Sequence, residues 1–321
     1  MSLNRSARTP GREWVAIGTS AFLLAALIAV GLALAGGWAT WGDLDASAIS
    51  GWRIRPLWLA AAVGSEIAAL CLSGAVWGWL FRAAGGRAGI VESSTAWLGS
   101  NLGRYIPGKI WQVTGLVAYV RARGGSGATA LGTVITFQAA VLVTGAGMAL
   151  ASLGLGAFES LGRWPLLAGG LAVAAALTPP VLRAIIRLGR RLLRETAPSG
   201  QAEPGHGVLF RAVIGSLVIW PLHGLGFLAL LHGLVLDHGI GFPTAMGVFS
   251  GAYVLGYLAL VAPGGLVVRE GAIVGLLTVV AGIPAGPAAA FALAARLWTT
   301  LAEIVAFGLL AVLMRKRPRG G

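Results

Sequence analysis

The sequence predicts an all-α polytopic membrane protein, with about six full transmembrane helices and two broken, re-entrant helix pairs arranged as an inverted repeat. The first observation is compositional: hydrophobic residues make up 57% of the 321 positions and charged residues only 11%. A soluble domain carries about 25% charged residues. The other two observations are a series of long apolar stretches and the position of the basic residues between them. Together they indicate that lipid surrounds most of the chain.

Six uninterrupted stretches are long and apolar enough to cross a bilayer, which takes about 20 residues. The first is longer than the apolar core of a secretory signal, roughly 7–15 residues, so we expect the mature protein to retain it. The six stretches are Trp14 to Gly36, Leu57 to Phe81, Thr129 to Leu155, Trp164 to Leu182, Val208 to Leu236, and Ala288 to Met314.

The basic residues predict that both termini lie in the cytoplasm. In this orientation, seventeen of the 24 Lys and Arg side chains fall on cytoplasmic segments, against three on the outer side. This is the positive-inside asymmetry of membrane proteins, and it accounts for the net charge of +13 without a nucleic-acid partner. We expect one domain, residues 1–321, in the inner (cytoplasmic) membrane, with a short basic cytoplasmic loop at 183–207.

Two further apolar stretches are interrupted. Ser93 to Val120 is broken by Pro107 and Gly108, and Phe242 to Ala281 is broken by Pro263, Gly264 and Gly265. Proline ends a helix because it lacks the N–H donor and clashes with the preceding turn, and glycine permits the turn that follows. Each stretch is therefore expected to form two half-helices that return to the side from which they started.

The two broken stretches also predict an internal repeat. In the predicted orientation they enter the membrane from opposite faces, and a shift of 156 positions aligns Pro107-Gly108 with Pro263-Gly264. Inverted repeats whose broken helices meet near the midplane are typical of carriers. The repeats are expected at about residues 57–182 and 208–314; two proline-kinked hairpins that merely pack together are the alternative.

Ionisable side chains inside the membrane supply the candidate binding site, because charges in lipid are costly and usually functional. Four cations and three anions predict a positive pocket suited to an anionic head group such as a phosphate, which Arg and Lys bind well. Half-helix N-termini after the breaks add N–H donors. The candidate binding residues are Glu66, Arg104, Lys109, Arg269, Glu270, Arg296 and Glu303, together with Tyr105 and Gln112 beside the first break.

Some of these residues have simpler explanations. Arg104 can extend to the cytoplasmic face along its apolar stem. Arg296 and Glu303 are seven positions apart with Thr299 between them; a polar stripe that only joins helices is the alternative for these residues. Glu66 either pairs with a cation or is protonated in a polar niche.

Two pairings remain open from the sequence. Arg269 and Glu270 are adjacent, so their side chains diverge and each needs its own partner. Lys109 or Arg104, across the repeat axis, is the expected partner of Glu270. His223 lies within an apolar span and either hydrogen-bonds a neighbouring helix or relays protons.

Signatures of enzymes are missing from the sequence. It contains no P-loop, Rossmann fingerprint, H-E-x-x-H or G-x-S-x-G pattern. The one cysteine, Cys71, excludes a disulfide framework and a cysteine-based metal site. We therefore expect no catalytic residues, metal or cofactor, and transport that runs on a gradient or by facilitated exchange.

The two break sequences carry a family resemblance. Gly-Arg-Tyr-Ile-Pro-Gly-Lys at 103–109, followed by Trp111, resembles the first signature of the lysylphosphatidylglycerol synthase transmembrane-region family. Pro-Gly-Gly-Leu-Val-Val-Arg-Glu-Gly at 263–271 resembles its second signature. Val267 stands where many relatives have glycine, which should stiffen the second half-helix.

The resemblance implies a fold that, in multiple peptide resistance factors, moves aminoacylated phosphatidylglycerol between leaflets, and some relatives look associated with polyprenyl-phosphate sugar pathways. The soluble aminoacyl-transfer domain of those factors has no counterpart in this sequence, so we expect no synthase activity. The expected function is a flippase for an anionic or zwitterionic lipid. Arg104, Lys109 and Arg269 would hold phosphate, and Glu270 and Glu303 would balance charge or contact an amino group.

Two other functions fit the same sequence. One is a non-transporting membrane subunit that scaffolds a lipid-modifying or glycosyltransferase enzyme, and the other is a carrier for a small water-soluble anion. The expected partners are membrane lipids, with such an enzyme or a second copy of the chain as further possibilities.

Overall fold

The computed structural model of the chain describes residues 49–105, 110–154, 157, 178–195, 206–234, 239–259 and 267–316. Within these residues the fold is all-α. The helices are α1 (Pro56–Ala83), α2 (Ile90–Asn101), α3 (Ile110–Arg121), α4 (Gly127–Leu153), α5 (Pro179–Leu193), α6 (His206–Leu234), α7 (Phe242–Leu258), α8 (Val268–Ala281) and α9 (Ala285–Lys316), with a 3-10 turn at Leu102–Tyr105.

Four of these helices, α1, α4, α6 and α9, are long and apolar enough to cross a membrane. Their bounds agree to within a few residues with four of the six predicted spans. The predicted span from Trp14 to Gly36 lies outside the described residues, as does most of the span from Trp164 to Leu182. The coarse prediction of a helical membrane protein is therefore confirmed for the described part of the chain.

Helices α1 and α6 form the central crossing of the bundle and run antiparallel. Gly215, early in α6, lies against Val76, late in α1, while Gly233, late in α6, lies against Leu59, early in α1. A Cβ at these glycines would come within 2.4 Å of Val76 and 2.6 Å of Leu59. The absence of a side chain at both positions therefore allows the close approach, as at other helix interfaces inside membranes.

The remaining helices pack around this crossing. Helix α1 contacts α2 and α9, and α6 contacts α7 and α4. Helix α4 also packs on α7 and α3, and α9 packs on α2 and α8. Within each broken stretch the two half-helices lie against each other, α2 on α3 and α7 on α8. The buried apolar side chains form clusters that all span several of these helices.

Both predicted breaks coincide with interruptions between helices. The 3-10 turn follows α2, and α3 begins only at Ile110, while residues 259–267 separate α7 from α8. Val267, immediately before α8, has a φ of 72°, a conformation that a β-branched residue rarely adopts. The break residues Pro107, Gly108, Pro263, Gly264 and Gly265 themselves lie outside the described residues.

The structure differs from the prediction at the basic loop 183–207. Residues from Pro179 onward form α5, so the helix includes the end of the predicted fourth span as well as the first part of the loop. Proline at the first helical position favours a helix start. Five arginines share one face of α5 or its end, opposite exposed Val181, Leu188 and Leu192. This 3.6-residue period is that of an amphipathic helix. The period was overlooked because the arginines were counted as charges of a loop.

Candidate substrate-binding cavity

A polar cavity lies inside the helix bundle. It has a volume of about 630 Å³, including the space that is continuous with its surroundings. Every described helix except α5 contributes to its walls, so it is built from both predicted repeats. Its lining residues are Glu66, Leu70, Ser73, Trp97, Asn101, Gln112, Phe137, Gln138, Val141, Ser216, Ile219, Trp220, His223, Phe249, Tyr253, Arg269, Thr299 and Glu303.

The side chains of Glu66 and His223 lie at ion-pair distance on the cavity wall, where α1 crosses α6. Nδ1 of His223 lies 2.7 Å from Oε2 of Glu66, and the Glu66 side chain is only 3% exposed. Next to this pair, the Ser65 hydroxyl donates a hydrogen bond of 2.7 Å to the carbonyl of Leu222. Among the described residues, the hydrogen-bonded partner of Glu66 is thus a histidine, and His223 binds a neighbouring helix.

Arg269 lies in the first turn of α8, among aromatic rings. Its guanidinium carbon is 4.9 Å from the ring centre of Phe249 and 5.9 Å from that of Tyr253, both on α7. Such a placement stabilises a cation by its attraction to the ring faces. Gly256 makes room for it, because a Cβ there would lie 2.7 Å from Cβ of Arg269.

Glu270 pairs with Arg296 of α9 across 3.6 Å. Both side chains are largely buried, 16% and 9% exposed. This differs from the expected pairing of Glu270 with Lys109 or Arg104. Oε2 of Glu270 is buried with no hydrogen-bond partner among the described residues, so one carboxylate oxygen retains the capacity to accept.

Glu303 and Thr299 complete the α9 wall of the cavity. Glu303 is buried, with 4% of its surface exposed. The expected polar stripe of Arg296, Thr299 and Glu303 is therefore present, but it does more than join helices. Two of its members face the cavity, and the third holds Glu270.

Neutral polar residues line the side built from α2, α3 and α4, and of these the sequence singled out only Gln112. The Gln112 amide donates a hydrogen bond to the Asn101 side chain, and the Gln138 amide donates one of 3.3 Å to the hydroxyl of Tyr253. Asn101 and Gln138 are both buried. A buried Asn or Gln in an apolar stretch is a detectable signal, but a weaker one than a full charge.

The aromatic part of the wall was also missed. Trp220 is buried and donates a hydrogen bond of 3.0 Å from Nε1 to the Thr144 hydroxyl. Phe249 stacks on the His223 ring with 5.1 Å between centres. These side chains hold the imidazole between two rings.

The candidate residues fall into three groups. Glu66, Gln112, Arg269 and Glu303 line the cavity, and Glu270 and Arg296 form the ion pair beside it. Lys109 and the side chains of Arg104 and Tyr105 lie outside the described residues. The described interior charges are two arginines and three glutamates, so the expected excess of positive charge is not found in the described part.

The chemistry of the described cavity is that of binding. The guanidinium group of Arg269 can contact a phosphate, and carboxylates and amides can contact an amino or hydroxyl group. The described residues include no group of three or more His, Cys, Asp or Glu side chains placed to hold a metal ion.

No family model, curated protein or solved structure matches this chain.

Proposed function

We propose that this protein is a flippase that moves a lipid with an anionic or zwitterionic head group between the leaflets of the bacterial inner membrane. The observation that carries the proposal is the polar cavity lined by α1 to α4 and α6 to α9, four of which are long enough to span a bilayer. A charged cavity inside such a bundle allows a polar head group to cross the membrane without entering the hydrocarbon, where charged groups are costly.

Helix packing supports the proposed inverted repeat. The proposed repeat relates α1 to α6, α2 to α7, α3 to α8 and α4 to α9. Under this correspondence, every closely packed pair among these eight helices matches another closely packed pair. Glu66 and His223 are 157 positions apart, as are Ser65 and Leu222, close to the shift of 156 that aligns the two breaks. When a two-fold axis relates two antiparallel helices, residues one repeat apart meet where the helices cross the axis. The proposed axis therefore passes through the crossing of α1 and α6.

Close contacts beside the two breaks support the same repeat. A Cβ at Gly103 would lie 2.8 Å from the carbonyl carbon of Trp111, and one at Gly256 would lie 2.7 Å from Arg269. Trp111 and Arg269 are 158 positions apart and Gly103 and Gly256 are 153 apart, values on either side of the shift of 156. Both half-helix pairs thus pack through a glycine at the position where the chain turns back.

In the proposed mechanism the head group enters the cavity and its phosphate contacts Arg269 on α8. Glu270 and Glu303 balance the charge or bind an amino group, while the acyl chains stay in lipid. Rocking of the half-helix pairs about the crossing of α1 and α6 opens the cavity to one leaflet and then to the other, as in carriers with inverted repeats. The resemblance of the two break sequences to flippase-like membrane domains is consistent with this mechanism.

The proposed orientation places both termini in the cytoplasm. The arginines of α5 would then face the anionic cytoplasmic leaflet, in keeping with the positive-inside pattern. Arg82, at the end of α1, would lie on the same side, and Arg53 and Arg55, just before α1, would lie outside.

The test is lipid transfer by the purified protein in liposomes of phosphatidylethanolamine and phosphatidylglycerol. Separate preparations carry a trace of fluorescent phosphatidylglycerol, phosphatidylethanolamine or polyprenyl phosphate, and a membrane-impermeant reductant bleaches the outer leaflet. We expect the bleached fraction to exceed the outer-leaflet share for at least one probe. Arg269→Ala removes a charged contact of about 1.5–3 kcal/mol, so transfer should slow by about tenfold or more.

Arg187→Ala is the matched control, because Arg187 is exposed on α5 and away from the cavity; this variant should transfer lipid at the wild-type rate. Absence of transfer for all three probes would reject the flippase. Phosphate uptake without lipid movement would instead favour a small-anion carrier. Capture of a lipid-modifying or glycosyltransferase enzyme by a transfer-inactive protein would favour a scaffold.

A further inference from the structure

We propose that Glu66 and His223 form a proton-binding site that couples lipid movement to the proton gradient, with the proton loading together with an anionic head group. The inference rests on the proposed flippase function and adds its energy source. It is carried by the position of the pair, by its burial and by the charge around it.

The pair lies where a coupling site must be. Glu66 is the eleventh residue of the 28 in α1, and His223 is the eighteenth of the 29 in α6. At 1.5 Å per residue, both are within about 5 Å of the middle of their helices. A proton bound there lies about halfway across the proposed spans, so it can be exchanged with either side as the cavity changes its opening.

The pair joins the two halves that would move. Glu66 belongs to the first predicted repeat and His223 to the second, and the 2.7 Å contact crosses the interface between them. A protonated imidazole makes this contact a charge-assisted hydrogen bond, which is shorter and stronger than a neutral one. Gain or loss of the proton therefore changes the attraction between α1 and α6 at their crossing.

The groups that face the pair leave the imidazole as the natural proton acceptor. Arg269 on α8, Tyr253 on α7 and Glu303 on α9 share the cavity with it, and the ion pair of Glu270 and Arg296 lies beside Arg269. The cavity residues of α2, α3 and α4 are neutral: Asn101, Gln112, Gln138, Trp97, Phe137 and Val141. Histidine is the side chain whose charge ordinarily changes at physiological pH.

Charge balance links the proton to the head group. With the arginines and glutamates ionised and Tyr253 and His223 neutral, two arginines face three glutamates, a net charge of −1 in the described interior. One proton on His223 brings this charge to zero. An anionic phosphate therefore meets less repulsion when the proton is bound, because charges in a low-dielectric interior interact strongly. Proton and lipid should accordingly move in the same direction.

The coupling is tested in the same liposomes with an imposed pH difference. Wild-type protein should accumulate fluorescent phosphatidylglycerol in the leaflet facing the alkaline side, and a pH-sensitive dye should report proton movement that depends on the lipid. Glu66→Gln and His223→Gln should lose both the dependence of transfer on the pH difference and the lipid-dependent proton movement, whatever their rate of transfer without a gradient. Glu66→Asp, which keeps the carboxylate, should retain part of the gradient response.

His232→Gln is the matched control, since His232 lies on the same helix and stacks on Trp58 near its end, away from the cavity lining. It should respond to the gradient as the wild type does. Thermal unfolding of each variant separates loss of coupling from loss of the fold. Wild-type transfer that ignores the gradient, or a normal gradient response from both Gln variants, overturns the coupling and leaves the flippase in place.

If no lipid is transferred at all, the flippase proposal is rejected, and proton binding by the pair is tested in a separate experiment. Nitrogen-labelled imidazole signals of the purified protein, assigned with His223→Gln, should show that His223 changes its protonation state over the pH range in which the protein stays folded. Glu66→Gln should move that transition, and His232→Gln should not. A His223 signal with constant protonation across this range overturns the proton site.

Discussion

The two interrupted helix pairs differ in the charge of the positions that the proposed repeat would make equivalent. In the first, Gln112 of α3 and Gln138 of the following long helix are neutral amides. In the second, Glu270 and Arg296 stand 158 positions later and form a buried ion pair. The packing of the helices is alike in both halves, so the difference lies in the side chains. At these positions the first half supplies neutral amides, and the second half supplies a pair of charges.

The largest effect is expected from breaking the ion pair. Arg296→Gln leaves the Glu270 carboxylate buried without its cation, which should destabilise the protein by about 3–5 kcal/mol. Gln138→Ala, the counterpart in the first half, should cost about 1 kcal/mol, the value of an ordinary hydrogen bond. Thermal unfolding in detergent micelles measures both.

The double variant Glu270→Gln with Arg296→Gln gives the second half the neutral chemistry of the first. It should recover most of the lost stability, because no lone charge remains buried, and it should transfer lipid poorly. If the single Arg296→Gln variant unfolds at the same temperature as the wild type, the ion pair does not provide the stability expected of it.

The next effect concerns the glycines where each pair turns back. Gly103→Ala places a methyl group 2.8 Å from backbone of Trp111, and Gly256→Ala places one 2.7 Å from Cβ of Arg269. Each should lower stability by about 1–3 kcal/mol through overpacking. Only Gly256→Ala should also slow lipid transfer, because it displaces a binding arginine. Thermal unfolding and the bleaching assay give the two readouts.

Gly115→Ala and Gly271→Ala serve as controls for this comparison. A Cβ at either position meets no atom within 4 Å, so these variants should be neutral or up to about 1 kcal/mol more stable, as for alanine in a helix. Equal losses at all four glycines would show that helix propensity, and not close packing, determines the result.

A smaller effect, of opposite sign, is expected at Val267. Its φ of 72° stores strain on the order of 1–3 kcal/mol. Val267→Gly removes that strain and loses about 0.5–1 kcal/mol to backbone entropy, so the protein should become about 1 kcal/mol more stable. Val268→Gly, one residue into α8, should destabilise. Unfolding temperatures of the two variants should move in opposite directions; a shared direction would argue against strain at Val267.

The smallest effect is expected at the ends of the first pair. Glu92 of α2 lies 3.0 Å from Arg123, which stacks on the Tyr119 ring at 3.7 Å. These side chains are substantially exposed, so Glu92→Gln should cost no more than about 1 kcal/mol. The difference from wild type should shrink in high salt. A loss that salt leaves unchanged would show that packing, rather than charge, provides the stability.

The sequence predicted the long helices well, because the length of an apolar run is readable from a single chain. Helices α1, α4, α6 and α9 follow from it directly. It also identified Glu66, Arg269 and Glu303, since an isolated charge in such a run is conspicuous. The position of these residues on one cavity required the fold.

Partner choice was not predictable from the sequence. Glu270 pairs with Arg296 because α8 packs on α9, and helix packing depends on distant surfaces. Asn101, Gln138 and Tyr253 were overlooked because neutral polar groups also occur where they only join helices. Helix α5 was taken for a loop because its arginines were counted without regard to their helical period.

Glu195 connects α5 to the first turn of α4. Its carboxylate accepts hydrogen bonds from the Ser126 hydroxyl and from the backbone N–H groups of Gly127 and Ala128. An amphipathic helix rich in arginine settles at the boundary between head groups and acyl chains. Glu195, together with the packing of Ile186 against Gly132, fixes α5 to the first turn of α4. If α5 lies at that boundary, the first turn of α4 is held at the same level in the membrane.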